Sequence, residues 1–346
     1  MLPKNTTTML ACLVAAAAGL PASTHAQDLP NLKGKSFAFA GFGGDLQKNQ
    51  DLAWLQPFAD ATGVKIVQTD SPTVAALKTQ QEAKNVGVDV IEIESSTVDA
   101  NCGTTFQVVD INRSQLDPAL DRNKCGVPVV KFSFVLAYNA AKYKEPPTKV
   151  ADFFDVESFP GVRAAPAGSN VGLVETALLA DGVEPWKLYP IDLDRAVKKI
   201  ESVKSSIEVK STFAMLQDGL ANGEFDMAIL PNGRAYNASK TNPDVKVVFD
   251  GAVTLYDNLA IPTGAKNVEA ATEFLNYVAL NQTQSSLTER FPYGKGTVGE
   301  EPPKLDDQAK LFFPDTYGEQ LVIQDNSWWA ANDQNVNDRL TSLFSQ

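Results

Sequence analysis

Short apolar runs of strand length alternate with segments of helical periodicity over most of this 346-residue chain. That alternation constrains the fold most, because strand–helix units bury their apolar faces as α/β layers. "SFAFAGFGG" (Ser36–Gly44) reads as a strand entering a glycine-rich turn, and "DLAWLQPFADATG" (Asp51–Gly63) as an amphipathic helix closed by Gly63. The strand "VKIVQTD" comes next, then a helix in "TVAALKTQQEAKNVG" (Thr73–Gly87) and a buried strand in "VDVIEIESS" (Val88–Ser96) that ends in polar residues. "VPVVKFSFVLAYN" (Val127–Asn139) is a long β-branched and aromatic stretch; its length suits a crossing from one lobe to another.

Beyond the proline-rich "KEPPTKVADFFD", a second lobe is expected to hold "GVRAAPAGSN" as strand and loop, the helix "VGLVETALLADG", a helix from Asp192 to Val203, and "FDMAILPNGRAY" as strand and loop. "VKVVFDGAVTLYDNLAIP" carries the chain back. The helix from Asn267 opens with an Asn cap, has Glu269 in its first turn, and sets Ala271, Phe274, Leu275 and Val278 on one face, to be packed on the first lobe. The C-terminal helix around "SWWAANDQNVNDRL" is expected to brace both lobes, with Trp328 and Trp329 in packing roles.

The first residues carry Lys4, an apolar run from Met9 to Leu20, and small residues before Gln27, the layout of a cleaved secretory leader over residues 1–26 with Thr24-His25-Ala26 at the cleavage site. The run is too short to span a bilayer, and Cys12 precedes most of it, which disfavours a lipoprotein site. The exported chain is therefore expected to insert no segment in a membrane. His25 is the one histidine in the sequence, so its removal excludes Ser-His-Asp and Cys-His triads, histidine-ligated zinc and imidazole acid–base chemistry. Paired carboxylates and a Ser-Lys pair stay open.

Cys102 and Cys125 remain, and in an oxidising compartment they are expected to form a disulfide; a free thiol or a metal pair competes, although neither has a second cysteine at ligand spacing. A net charge of −12 makes nucleic acid and anionic membranes poor partners. About 320 residues beyond the leader exceed one ordinary hydrophobic core, and no long linker separates them, which fits two lobes joined by crossing strands.

Ligands of open α/β sheets collect beyond the carboxyl ends of the strands. That rule selects Gly43, Gly44 and Asp45, where glycines admit close backbone approach, or simply turn the chain. It selects Glu94, Ser95 and Ser96, which end a strand, or cap the next segment. Ser169 and Asn170 precede a helix and offer amides to an anion, or act as a cap. Ser211 and Phe213 offer a hydroxyl and an aromatic face, or core packing. Asn232 and Arg234 come after a strand, and Arg234 suits a bidentate carboxylate fork, or a tie between loops. Asp257 beside Tyr256 suits an ammonium or guanidinium group by charge-assisted hydrogen bonding and cation–π attraction, or a hinge hydrogen bond; Tyr293 would wall the same pocket.

The segments "GVEPWKLYPIDLDRA" (Gly182–Ala196), "ADFFDVESFPGVR" (Ala151–Arg163), "GEFDMAILPNGRAY" (Gly223–Tyr236) and "AIPTGAKNVEAATEFLNYV", in this order and with "LQPFADATGVKI" and "FPYGKGTVG", resemble the spermidine/putrescine-binding-protein family of periplasmic ABC-transporter receptors. The resemblance implies a type II periplasmic-binding fold, with a first lobe from residues 27–134 and 257–316 and a second from 135–256 and 317–346. It also implies a monomer without catalysis, cofactor or metal, which captures a small molecule in the periplasm and delivers it to a membrane permease. In the polyamine receptors an aspartate at the place of Asp257 contacts a ligand amine. This chain departs from the family pattern where Pro231 replaces a tryptophan, Leu255 an aromatic, Ser169 and Gly172 an acidic pair, and Val150 a further tryptophan. With two aromatic walls and two carboxylates missing, a ligand with one amine, with or without a carboxylate for Arg234, is expected to suit the site better than spermidine: an amino-acid derivative, an opine-like compound or a short amine, with a polyamine-like solute still in the class. A chemoreceptor partner on the same fold and an exported carboxylate-dependent hydrolase are the alternatives. An iron receptor fits poorly, for want of a Tyr-Tyr pair or a histidine.

Overall fold

The computed structural model describes residues 29–299 and 303–345; the expected leader lies outside the described residues. Nine strands are described: β1 (Ser36–Gly41), β2 (Lys65–Asp70), β3 (Val90–Glu94), β4 (Gly126–Asn139), β5 (Arg163–Pro166), β6 (Ile207–Lys210), β7 (Met227–Pro231), β8 (Val245–Ala260) and β9 (Val322–Ile323). Their order is β2-β1-β3-β8-β4-β7-β5-β6, with β9 on β8. β1, β2 and β3 are mutually parallel, as are β5, β6 and β7, while β4 and β8 run antiparallel to each other through both groups.

The end of β8 (Asp257 to Ala260) pairs with β3 and with the beginning of β4, whereas its beginning pairs with the end of β4, beside β7. One strand pair therefore belongs to two sub-sheets. Its register shifts between Val129 and Lys131 and again between Phe134 and Leu136. Val130, inside the first shift, has a φ of 31°, a costly conformation for a β-branched residue. Such bulges bend a strand and increase its twist, and here they fall where the pair passes from one lobe to the other.

Each sub-sheet has its own core. In the first lobe Phe37, Phe58 and Phe274 meet at ring-centroid distances of 5.2 to 6.5 Å, with Trp54 buried nearby. In the second, Phe153, Val174, Leu178, Phe249, Trp329 and Leu340 pack together. Phe132 touches both cores. The helix Asp307–Leu311 also belongs to the second core, through Ala309 and the adjoining Phe312, so the chain leaves the first lobe ahead of the expected residue 316.

Several loops expected from the sequence are helix starts. Gly44 opens a helix that continues through a π-turn (Asp51–Leu55) and the segment Gln56–Thr62 to a left-handed Gly63. Pro57 has no N–H to give to that winding, a local reason for the irregular turn just ahead of it. Ser95 and Asn232 likewise begin helices directly after β3 and β7. Asn267 is the N-cap residue, as expected, but its side chain accepts no helix N–H; its Nδ2 donates instead to Asp89, which also accepts the Lys266 and Asn267 backbone N–H groups at 2.9 Å each. The helix Val268–Val278 then buries Ala271, Phe274, Leu275 and Val278 in the first core, as its periodicity predicts.

Cys102 and Cys125 are disulfide-bonded, with a sequence separation of 23 and Cα atoms 5.5 Å apart. The bond ties the end of the helix Ser95–Asn101, directly after β3, to the start of β4. Closing a loop of that length contributes about 3 kcal/mol in the chain-entropy model. Cys102→Ala together with Cys125→Ala is expected to lower the unfolding free energy by about that amount, as measured by urea denaturation under oxidising conditions, with the fold retained.

Candidate ligand-binding cleft

A cavity of about 910 Å³ lies between the two sub-sheets. Its floor is the junction of β3 and β8, where Glu94 stands opposite Asp257 in the antiparallel ladder and both line the cavity. Phe132 and Phe134 of β4, Leu255 of β8, Phe213 and Pro231 supply an apolar wall. The charged lining residues are Glu94, Asp257, Asp333, Lys78 and Arg234.

Of the residues expected at a site, Gly44, Glu94, Ser96, Ser169, Asn170, Phe213, Arg234 and Asp257 line this cavity. Arg234 is brought there by the helix Asn232–Thr241, and its guanidinium lies so close to Gly44 that a Cβ on Gly44 would stand 3.3 Å from it. Among the described residues Arg234 forms no ion pair. Ser169 Oγ donates to Asp333 Oδ1 at 2.5 Å, so a carboxylate absent from the Ser169 position is supplied by the C-terminal helix Asn326–Phe344.

The other expected residues do not line the cavity, and the structure uses them elsewhere. Gly43 gives its N–H to Gln47 Oε1 at 2.9 Å inside the turn. Asp45 Oδ2 accepts from Asn237 Nδ2 at 2.8 Å, a tie across the mouth of the cleft between a first-lobe and a second-lobe helix. Ser95 Oγ and the Tyr256 hydroxyl both accept from Asn326 Nδ2, at 2.6 and 3.2 Å, and Tyr256 donates in turn to the Leu120 carbonyl. Asn232 is fully buried: its Oδ1 accepts the Ser133 N–H, and its Nδ2 donates to the carbonyls of Pro292 and Phe312. Ser211 is exposed and its Oγ meets Met215 Sδ. Tyr293 is buried against Phe132 and Phe291.

Several lining residues escape a reading of the sequence, four of them charged or aromatic. Lys78 and Asp333 sit mid-helix, where a charge ordinarily marks a solvated face, and Phe132 and Phe134 sit in a run that reads as core. Trp329 does pack as expected, with Nε1 donating to Glu175 Oε1 at 2.9 Å, and it also forms part of the cavity wall.

The electrostatics of the floor are dominated by desolvation. Burial holds the Asp257 carboxyl well above its usual range, reinforced by the charges of Glu92 and Glu94. Burial raises Glu94 too, with Asp333 adding to it. Glu92, fully buried behind the floor, is pushed from the ordinary 4.5 up to about 8 by burial, opposed in part by a hydrogen bond from Gln50 and reinforced by Glu94.

A two-lobed α/β molecule whose crossing strand pair floors an interlobe cavity lined by both charged and aromatic side chains has the architecture of the type II periplasmic-binding solute receptors. The chain belongs to the bacterial extracellular solute-binding proteins, whose family model matches residues 53–302. It is 29% identical over 322 residues to a gamma-aminobutyric acid-binding protein of Pseudomonas aeruginosa, covering 89% of this chain and 90% of that one. Among solved structures, a GABA receptor superposes with a TM-score of 0.81 at 30% identity, covering 90% and 98% of the two chains. The binding protein AgtB of Agrobacterium tumefaciens in complex with agropinic acid gives 0.79 at 29%, covering 90% and 99%.

The raised carboxyls make stability depend on pH in a defined direction. With its carboxyl raised from 4.5 to about 8, Glu92 binds a proton more tightly in the folded protein than in the unfolded chain, which stabilises the fold. This contribution is complete below 4.5 and is lost as pH rises towards 8. Glu92→Gln, which mimics the protonated acid, is expected to flatten the fall in melting temperature between pH about 5 and about 8. At the upper end its unfolding free energy should exceed that of wild type by a few kcal/mol, on the order implied by a shift of this size in a buried group.

Proposed function

We propose that the protein is the periplasmic receptor of an ABC importer for a small zwitterionic solute that bears one amine and one carboxylate. The observation that carries this reading is the placement of opposite charges from opposite lobes on one cavity: Glu94 and Asp257 on the floor, and Arg234 from the second lobe with no ion-pair partner among the described residues. An ammonium group on the floor donates charge-assisted hydrogen bonds to carboxylates that otherwise stand desolvated, and a carboxylate matches the planar fork of Arg234. Phe132, Phe134, Phe213 and Leu255 cover the apolar middle of such a ligand. The volume lies at the upper end of the range for small-molecule sites, which leaves room for opine-sized solutes as well as for a short ω-amino acid.

The relatives named for gamma-aminobutyric acid and the complex with agropinic acid support this ligand class. A polyamine suits the cleft less well, because its second ammonium would face Arg234 and Lys78. Both halves of the cavity come from one chain, which supports a monomeric receptor. The ligand contacts both lobes, and that differential contact shifts the open–closed population toward the closed state a permease reads. Catalysis is not part of this reading, which assigns the charged lining residues to holding a ligand.

The test is a thermal-shift and calorimetric titration with GABA, agropinic acid and putrescine. A ligand at a hundredfold excess over Kd stabilises the folded state by about 2.7 kcal/mol. GABA or agropinic acid is expected to raise the melting temperature and putrescine to do so less. Asp257→Ala and Arg234→Ala are each expected to weaken the zwitterion at least about tenfold, as the loss of one partner in a buried charged contact implies. Tight putrescine binding that survives Arg234→Ala would overturn the proposal.

A further inference from the structure

The floor contains one acid more than an ammonium group can reach. Glu92 lies two residues before Glu94 on β3, on the same face of the strand, and Asp257 stands opposite Glu94 and diagonal to Glu92. In an antiparallel ladder opposed Cβ atoms are about 4.5–5.5 Å apart and diagonal ones about 7–8 Å. Three carboxyls thus share one patch of one sheet face, and none forms an ion pair among the described residues.

Their hydrogen bonding is incomplete in a telling way. Glu92 Oε1 accepts from Gln50 Nε2 at 2.7 Å, yet Glu92 Oε2, Gln50 Oε1 and Asp257 Oδ1 are all buried without a partner. Glu92 is 0% and Asp257 3% exposed, and Asp257 lines the cavity. An ionised carboxylate only accepts, so a patch of orphaned acceptors lacks donors; a proton on a carboxyl turns one acceptor into a donor. Gln50 Oε1, on the side chain already bonded to Glu92, is an acceptor for it. The charged groups that share this cavity are Arg234 and Asp333 from the second lobe and Lys78 from the helix Val74–Glu82; the phenols of Tyr256 and Tyr293, both pushed up by burial, stay neutral beside it. Like charges this close, out of water and without a counterion, do not all ionise.

On the basis of the receptor function, we propose that Glu92 sets the charge the cleft accepts: the unliganded floor holds a proton shared among Glu92, Glu94 and Asp257, and a cationic ligand group docking on Glu94 and Asp257 expels it to solvent. Glu92 is a positioning and specificity-determining residue that never touches the ligand. The carboxyl O–H bond breaks, the buffer takes the proton, and the ligand's positive charge replaces it, so the floor's net charge is conserved on binding. A single ammonium satisfies that exchange, and affinity rises with pH as long as the ligand amine stays charged. The raised carboxyl affinities for protons, caused first by burial, agree with this geometry.

The experiment has two readings. Carboxyl carbon-13 NMR of the unliganded protein near neutral pH is expected to show at least one protonated side-chain carboxyl, lost or shifted in Glu92→Gln; a spectrum with every carboxyl ionised would overturn the proposal whatever the protein binds. Calorimetry with GABA in two buffers of different ionisation enthalpy is expected to give release of close to one proton, with Kd tightening about twentyfold or more from pH about 6 to about 7.5. In Glu92→Gln the release falls below half while GABA still binds, which a merely structural role for Glu92 would not produce. Tight wild-type binding with heats identical in both buffers and a Kd independent of pH also overturns the proposal, and needs no variant to fold. If GABA gives no heat at all, the ligand assignment is at fault, and the carboxyl spectrum still decides the proton.

Discussion

The pairing of β4 with β8 is the contact on which the other features rest. Each strand spends one end in the first sub-sheet and the other end in the second, so each lobe's core is built on backbone continuous with its neighbour's. The cleft floor and the lobe junction are therefore the same stretch of chain. Asp257 stands beside the register shift at Val129 and Lys131, and Phe132 belongs to both cores. A bulged ladder bends more easily than a regular one, and a ligand resting on it can bias the relation of the lobes without remodelling either core.

Around that pair the structure divides its polar side chains into two groups. Asn232, Ser95, Tyr256 and Asn326 satisfy one another and nearby backbone groups; Asn232 holds β4 to the carbonyls of Pro292 and Phe312, and Asn326 fixes how the C-terminal helix meets the sheet. Asp257, Glu92 and Arg234 are left without charged partners among the described residues. Buried polar groups that fail to find partners within the protein are costly; Asp257 and the half-buried Arg234 line the cavity, where an external molecule can complete them, and Glu92 lies behind them. The first group costs little to keep closed, while the second makes closure depend on what enters.

Much of the architecture was legible along the chain. The apolar length of Val127–Asn139, the periodicity of Val268–Val278 and the αL stop at Gly63 arise from local patterns that tertiary contacts did not override. Asp257 and Arg234 stood out along the chain because a carboxylate inside an apolar strand and a guanidinium shortly after one are unusual enough to need a partner, and both line the cavity. Ser95, Asn232 and Tyr256 were misplaced because the same residue types serve equally as interlobe ties, and the partners that claim them lie far along the chain. Asn326 is 231 residues from Ser95. Asp333 and Lys78 were invisible for a related reason: a charge in mid-helix has no local signature of facing a cleft. Asn267 holds the N-cap position without a side-chain cap bond because its amide is engaged by Asp89, remote in sequence.

The sequence by itself determined the alternating layers, the two crossing strands, the absence of imidazole chemistry beyond residue 25 and the pair of cysteines that close a loop. Each of these depends on composition or on periods of a few residues. Only the tertiary structure decided that Asp333 takes the place of a missing acid near Ser169, that Glu92 lies behind Glu94 without a counterion, and that Arg234 faces the floor from the opposite lobe. Those facts depend on which distant segments the β4–β8 pair brings together, and no local pattern encodes how far a carboxyl is removed from water.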